Sequence, residues 1–451
     1  MTTPLQLCSD ASLQRPAPRN PPSALSLLLG LSLLSGLASA QQAPATPTAS
    51  ATTAPQPALT ARGGLARVLQ AAVLTHPSVR KAESEREASA IGIDEARARY
   101  LPTLSAQTNQ GSNSNVTWGL IRLQQPLWAG GKLDAGVDIA QSQFESSDAA
   151  LLDSRRQMME QAASAYAAVI GLKAQLATAK VGVEEHEKLL ELIKRRREGG
   201  IASESDIRLA MARLATVRTQ ARDIGGQLRR QELDLSILTG GQATADDPLP
   251  TLYMNWAAPG ELLAQARDAA PGVRRRQRDV QTVRHQASLH EAERWPTVYL
   301  RVDHDTGPTP TVYNQPATRT GLYVEANVDG SGFVGYQRIK ADAARIAAAE
   351  EDVRAASFEV DRRLKILLND RELAEQQLQD YDNVVQTQEQ SLESALRQYD
   401  AGRKNWVDVL NTQRELLDAR LARDRARQAA ADSQLRVAVM CGTLDPLAGL
   451  Q

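Results

Sequence analysis

Two long segments of this chain repeat each other, and this internal duplication constrains the fold more than any other feature. Residues 65–240 recur, much altered, at 262–442. The offset between matched residues is 194 in the first part of the repeat and 202 in the rest. The matched pairs are Pro77 with Pro271, Val79 with Val273, Pro102 with Pro296, Thr103 with Thr297, Gly119 with Gly321, Gly200 with Gly402, Asp206 with Asp408 and Gly240 with Gly442. Separated matches in a shared register predict two copies of one large structural unit.

The composition favours long helices over a large globular core. Aromatic residues make up 4% of the 451 residues, so bulky core side chains are scarce. Ala, Leu, Gln, Arg and Glu dominate instead, which is typical of long helices. The net charge is −1. Because the protein has no net positive charge that would attract nucleic acid, no nucleic-acid partner is predicted.

The N-terminus has the pattern of an export signal. Two arginines precede an apolar run at 24–37, and small residues at 38–40 fit a cleavage site. Residues 1–40 are therefore predicted as a signal peptide, and residues 41–60 as a disordered lead-in. No later stretch is apolar enough for a membrane-spanning helix. The exported chain is then either soluble or an outer-membrane protein that crosses the bilayer with β-strands.

Each repeat ends in a long helical hairpin. Residues 127–247 and 317–445 contain no proline, and their apolar residues recur at three- and four-residue spacing. Gly200 and Gly402 interrupt the two runs at equivalent places, each followed by a residue suited to starting a new helix. The first arm, about residues 132–198, would be about 100 Å long. That length suits a protein that bridges a wide aqueous compartment.

A strand pair precedes each helical hairpin. Residues 298–303 and 322–329 alternate between apolar side chains and polar or acidic ones, and the alternation is weaker at 104–109 and about 116–127. Such alternation is typical of strands between lipid and a watery lumen. Four strands cannot close a membrane barrel, and open strand edges are not tolerated in lipid. Several copies must therefore assemble, and three copies would supply twelve strands.

Aromatic residues flank these strands and are predicted to mark the membrane interface. Aromatic belts form where a spanning structure meets water. The alternative is that strands are rich in aromatic residues in any case. The predicted interface residues are Trp118, Trp128, Trp295, Tyr299 and Tyr323.

Two motifs resemble those of the TolC-type outer-membrane factors. Residues 123–132 resemble the family's strand-exit motif, in which Pro126, Gly130 and Gly131 lead into the long helix. Residues 399–410 resemble its periplasmic tip. The duplicated order of elements covers nearly all of the chain after the signal peptide, so the resemblance is architectural as well as local.

The resemblance implies a mainly α fold with a small β part. Long antiparallel helical hairpins would form an α-barrel coiled coil, and four strands per chain would contribute to a trimeric 12-stranded transmembrane β-barrel. The predicted organisation is a first repeat at 61–245, a linker at 246–260, a second repeat at 261–445 and a C-terminal tail at 446–451. The implied location is the outer membrane, with the helices extending through the periplasm.

The same resemblance implies a gate at the helical tips. Asp408 matches the first aspartate of the family's acidic ring, Asn411 stands where a second aspartate is often found, and Lys404 aligns with a basic gate residue beside Arg403. Three Asp408 carboxylates near one axis would attract cations. The alternative is that Asp408 only stabilises the start of its helix. Tip turns and adaptor docking are predicted at Gly199, Gly200, Gly402 and Asp206.

No catalytic site, metal site or cofactor is predicted. The five histidines show no ligand spacing. The predicted function is a passive outer-membrane exit duct that carries an exported substrate. Its implied partners are outer-membrane lipid, two further copies of the chain, a periplasmic adaptor and an inner-membrane transporter, either ABC-type or proton-driven.

Two alternatives to this function remain open. No cysteine stands at the predicted cleavage site, whereas efflux members of the family commonly carry a lipid-anchored cysteine there. This difference favours type I protein secretion. The alternative is the outer-membrane component of a small-molecule or drug efflux pump. The alternative of another class is a soluble periplasmic coiled-coil adaptor or scaffold, which would leave the alternating strands unexplained.

Overall fold

The same order of helices and strands occurs twice along the part of the chain that the computed structural model describes. The predicted signal peptide and lead-in lie outside that part. At residues 109, 110, 117 and 118 the structure describes the backbone only. The described residues are 64–110, 117–246, 248, 256, 258–306, 317–326 and 333–450.

Each repeat contains two short helices, a strand pair and two long helices. The first repeat consists of α1 (Gly64–Thr75), α2 (Pro77–Ala98), β1 (Thr103–Gln110), β2 (Thr117–Trp128), α3 (Lys132–Glu198) and α4 (Glu204–Leu238). The second consists of α5 (Pro259–Ala269), α6 (Pro271–Ala292), β3 (Thr297–Thr306), β4 (Thr318–Glu325), α7 (Phe333–Asp400) and α8 (Trp406–Met440). A short 3-10 helix, Asp445–Ala448, follows. The predicted fold class, mainly α with a small β part, is confirmed.

Equivalent helices of the two repeats have nearly equal lengths. Helices α2 and α6 have 22 residues each, and α4 and α8 have 35 each. The long helices α3 and α7 have 67 and 68 residues. Helix α3 thus begins and ends where the proline and glycine pattern predicts, and at 1.5 Å per residue it is about 100 Å long.

The four strands form one antiparallel sheet in the order β1-β2-β3-β4. The two repeats meet at its centre, where β2 pairs with β3. Strands β1 and β4 are the edges of this sheet in the part of the chain that the structure describes. A β-bulge between Pro126 and Trp128 shifts the register of β2 as it leaves the sheet.

The main hydrophobic core lies where α1 packs on the hairpin formed by α3 and α4, together with α8 and the C-terminal segment. Its fully buried residues include Leu69 and Tyr166. A second cluster joins α5, α7 and α8 and includes Leu262, Leu364 and the buried thiol of Cys441. Burial raises the pKa of that thiol to about 11, so it is a packed, protonated side chain.

None of the described helices contains a stretch that is long and apolar enough to cross a membrane.

The first prediction compares two leucines of α1. Leu69 is fully buried and Leu74 is 47% exposed. Leu69→Ala leaves a cavity in the main core, and we expect it to cost about 2–5 kcal/mol of unfolding free energy. Leu74→Ala is the matched control and should cost less than about 1 kcal/mol. Chemical denaturation followed by circular dichroism measures both, and equal costs would contradict the assigned core.

Candidate functional site

One face of the sheet is apolar and exposed. Residues opposite each other on adjacent strands share a face. Leu104, Leu322 and Val324 on the edge strands are 68–72% exposed, and Ile121 and Leu123 on β2 are 42% exposed. The cross-strand pairs on this face are Leu104 with Leu123, Leu300 with Leu322 and Val298 with Val324. The sheet therefore presents an apolar surface that no other element of the described residues covers.

The opposite face of the sheet carries a charged network. Arg122 Nε donates to Asp303 Oδ1 at 2.8 Å, and Asp303 is only 5% exposed. Arg319 Nη1 lies 2.7 Å from Asp305 Oδ2, and Arg301 stacks on the ring of Tyr323 at 4.5 Å. Opposite charges on neighbouring strands stabilise the sheet across the β2–β3 junction between the repeats. The two faces thus have opposite chemistry.

Four of the five predicted interface aromatics lie at the helical end of the sheet. Trp128 ends β2, Trp295 directly precedes β3, and Tyr299 pairs with Tyr323 across β3 and β4. Trp128 and Trp295 are 49% and 59% exposed. The backbone of Trp118 lies at the far end of β2, and its side chain is outside the described residues. Ten residues separate Trp118 from Trp128, about 33 Å of strand.

The strand-exit motif forms the junction between the sheet and α3. Gly130 and Gly131 both have positive φ angles, 61° and 88°, a backbone region that glycine adopts without steric cost. A Cβ atom at Gly130 would lie 2.5 Å from Cβ of Trp295. The motif therefore brings the end of β2 against the start of the next strand pair, and only glycine fits this contact.

The two helical tips have similar turns but different helix starts. Gly200 and Gly402 have φ angles of 76° and 72°, whereas Gly199 has a φ of −78° and closes α3. At the first tip, Asp206 accepts a hydrogen bond from Ser203 N at 3.0 Å while Ser203 Oγ accepts from Asp206 N at 3.2 Å. This capping box satisfies free backbone donors at the start of α4.

Asp408 occupies the equivalent position of α8 without this cap. The side chain of Asn405, which precedes α8, makes no capping hydrogen bond. Within the described residues, neither Asp408 nor the neighbouring Lys404 and Arg403 has an ion-pair partner. Asn411 accepts a hydrogen bond from Arg213 of α4 at 3.3 Å. The second tip therefore keeps a half-buried carboxylate and two cationic groups available.

An aromatic and ionic cluster, not predicted from the sequence, joins the two tips. Arg196 Nη2 of α3 donates to Asp400 of α7 at 2.5 Å, and its guanidinium lies 4.5 Å from the ring centre of Tyr399. The Tyr399 ring packs on Trp406 at 5.2 Å. Burial raises the pKa of Tyr399. Arg196 lies within four consecutive basic residues, 194–197, and its guanidinium binds within the chain.

Comparisons with known proteins agree on one class. A model of the "Outer membrane efflux protein" family matches residues 68–241 and 262–443. The chain is 23% identical over 407 residues to the outer membrane protein TolC of Salmonella enteritidis, covering 84% of this chain and 82% of that protein. It is 25% identical over 281 residues to the probable efflux pump outer membrane protein SepC of Pseudomonas putida, covering 58% and 56%.

Solved structures show the same fold. The outer membrane protein VceC of Vibrio cholerae superposes with a TM-score of 0.70 at 18% identity, covering 84% of this chain and 96% of that one. The CmeC outer membrane channel of Campylobacter jejuni gives a TM-score of 0.69 at 15% identity, covering 84% and 85%.

The strand-exit motif supplies the second prediction. Gly130→Ala combines a positive φ with a Cβ that overlaps Trp295, so we expect a loss of more than about 1 kcal/mol of stability. Gly136→Ala, near the start of α3 in open space, is the matched control and should be neutral or slightly stabilising. Thermal melting of the purified variants checks this, and similar melting temperatures would contradict the strained junction.

Proposed function

The chain belongs to the outer membrane efflux protein family, and on this premise we propose that it forms the passive outer-membrane exit duct of a tripartite export system. Its location is the outer membrane, with the long helices extending through the periplasm. The observation that carries the proposal is the two-faced sheet with free edges joined to helical hairpins about 100 Å long. The scaffold alternative does not account for the exposed apolar sheet face.

The sheet edges support assembly into a closed barrel. Strands β1 and β4 have no partner on their outer sides within the described chain. Unpaired backbone groups in lipid cost several kcal/mol each, approximately, so spanning sheets close on themselves. Pairing β4 of one copy with β1 of the next extends the sheet head to tail. Three copies then supply the twelve strands of the proposed barrel.

The outer helices support the same head-to-tail arrangement. The four longest helices pack in the order α4, α3, α8, α7, so α4 and α7 lie at the two sides of this group. Helix α7 exposes an apolar stripe, and helix α4 exposes another. Their members are Phe358, Ile366, Leu373 and Val384 on α7, and Met211, Leu233 and Ile237 on α4. Such stripes need a partner, and α4 of a neighbouring copy provides one for α7.

In the proposed trimer, the second tip of each copy lies at the narrow periplasmic end of the duct. Asp408, Lys404 and Arg403 are proposed as gate residues, with Asn411 held by Arg213. The Asp408 carboxylate has no ion-pair partner among the residues that the structure describes, which supports this role. Asp206 caps α4 and is proposed, with Gly199, Gly200 and Gly402, to shape the tips that an adaptor contacts.

The proposed partners are a periplasmic adaptor and an inner-membrane transporter, because a passive duct has no energy source of its own. Two cargo classes are proposed. Type I protein secretion is the class favoured by the sequence interpretation, and small-molecule efflux is supported by relatives named as efflux pump proteins. A deletion strain separates them: missing exported proteins indicate secretion, and drug sensitivity without such loss indicates efflux.

The third prediction tests the duct itself. The full chain should remain in the outer-membrane fraction after periplasmic release and become soluble only with detergent. The purified protein should have the mass of three chains and conduct ions across a planar bilayer. A chain that washes free with the periplasm as a monomer, without conductance, would instead establish the scaffold alternative.

The fourth prediction tests the acidic ring. Asp408→Ala removes three carboxylates around one axis, and we expect cation selectivity in bilayer recordings to fall several-fold. Asp418→Ala, an exposed aspartate about three turns further along α8, is the matched control and should leave selectivity unchanged. Equal selectivity of Asp408→Ala and the native channel would contradict the ring.

A further inference from the structure

A histidine occupies a core position between the helices near the tips. The buried residues of α3 in this region are spaced by three and four positions, which is the core pattern of packed helices. They are Ala179, Gly182, His186, Leu189 and Ile193. His186 is only 2% exposed. An ionisable side chain thus stands where the pattern calls for an apolar one.

Only one of the two ring nitrogens of His186 has a hydrogen-bond partner among the described residues. Its Nδ1 lies 2.8 Å from the carbonyl oxygen of Gly182, so in the neutral ring Nδ1–H donates to that oxygen. Its Nε2 is buried and has no hydrogen-bond partner in the described part of the chain. The Nε of Arg213, on the facing helix α4, is likewise buried without a partner. A proton added to Nε2 would therefore be a buried donor without an acceptor, close to a fixed positive charge.

The two acidic sequence neighbours of His186 are paired with other residues, and Glu187 accepts a hydrogen bond from Arg218 at 2.6 Å. Glu185, the neighbour of His186 on α3, accepts hydrogen bonds from Gln413 at 2.6 Å and from Arg420 at 2.9 Å. Arg420 also donates to Glu389 of α7 at 2.7 Å. Helix α8 thus presents a neutral amide and a paired arginine to this region, and α4 presents Arg213. These contacts leave little negative charge to compensate a protonated His186.

Electrostatics agree with this geometry. Burial lowers the pKa of His186, and the Arg213 charge lowers it further, while the bond to Gly182 and the charge of Glu185 oppose the shift. A histidine whose folded-state pKa is depressed contributes stability above its unfolded value near 6.5. That stability is lost as the pH falls below this value.

His186 also lies at a break in the apolar packing. On one side is the main core, which reaches Ala179 on α3 and Leu417 on α8. On the other side is the tip cluster, formed by Leu189, Ile193, Ala210, Ala395, Trp406, Val409 and Leu410. Between them, His186 and the polar contacts of Glu185 lie on the α3 side, while a small apolar cluster of Val385, Leu416 and Ala419 joins α7 and α8. Local opening starts where apolar packing is weakest, so a charge here acts on the tip rather than on the whole hairpin.

We propose that His186 is an acid-sensitive latch, whose protonation loosens the tips of the α3–α4 and α7–α8 hairpins from the rest of the bundle. The consequence for gating rests on the proposed function. The loosening itself is measured on the folded protein and does not depend on transport.

Hydrogen–deuterium exchange of the detergent-purified full chain tests the latch. After correction for the intrinsic pH dependence of amide exchange, we expect residues 187–217 and 395–410 to exchange at least about threefold faster at about pH 5.5 than at about pH 7.5. Residues 159–175, in the main core, should not change. His186→Leu, which keeps an apolar side chain at the core position, should abolish the increase.

His290→Gln is the matched control, since His290 of α6 is a half-buried histidine paired with Asp342 of α7. This variant should keep the full acid response at the tips. His186→Met provides a second non-titrating core residue if the leucine variant folds poorly. Equal corrected exchange of the native tips at both pH values would overturn the latch and leave His186 as a static residue that fixes helix register. An acid response that persists in His186→Leu or His186→Met would overturn it as well.

Discussion

The packing of α3 against α8 is the interaction on which the rest of the structure depends, because it joins the two repeats through their long helices. Glycines of α3 allow the close approach. A Cβ atom at Gly182 would lie 2.7 Å from Leu417 Cδ1, and one at Gly171 would overlap the side chain of Gln428. Gln428 also accepts a hydrogen bond from Gln175 at 2.9 Å. Close packing and a specific polar pair together fix the register of the two hairpins.

This internal junction is also a template for the proposed contacts between chains. Within one chain, β2 of the first repeat pairs with β3 of the second, and α3 of the first repeat packs on α8 of the second. The free elements are the complementary ones: β4 and α7 on one side, β1 and α4 on the other. A neighbouring copy docked head to tail therefore repeats a contact type that the chain already makes. Such heterologous contacts close into a ring when the rotation allows it.

The sequence predicted what depends on periodicity and on backbone-breaking residues. Proline-free windows and glycines placed α3 between Lys132 and Glu198, and strand alternation anticipated the two-faced sheet. It did not predict contacts between residues far apart in the chain. Arg196 was one of four consecutive basic residues, and nothing local distinguishes it as the partner of Asp400. His186 did have a local signal, because it falls within a three- and four-residue spacing of core positions. Metal-ligand spacing alone does not reveal this core position, because it ignores the helical pattern around each histidine.

The two tips differ because α4 begins with a side-chain cap and α8 begins without one. A side-chain cap contributes about 1 kcal/mol to a helix start. Ser203 and Asp206 provide this cap to α4, so the Asp206 carboxylate is committed to the backbone. At the second tip, Trp406 packs against Tyr399 and within the tip cluster, and this packing holds the start of α8 without a side-chain cap. The carboxylate of Asp408 is thereby released from a structural role that its counterpart must fill. An aromatic anchor in one repeat thus leaves the Asp408 carboxylate free for the proposed gate, while the other repeat uses Asp206 as a helix cap.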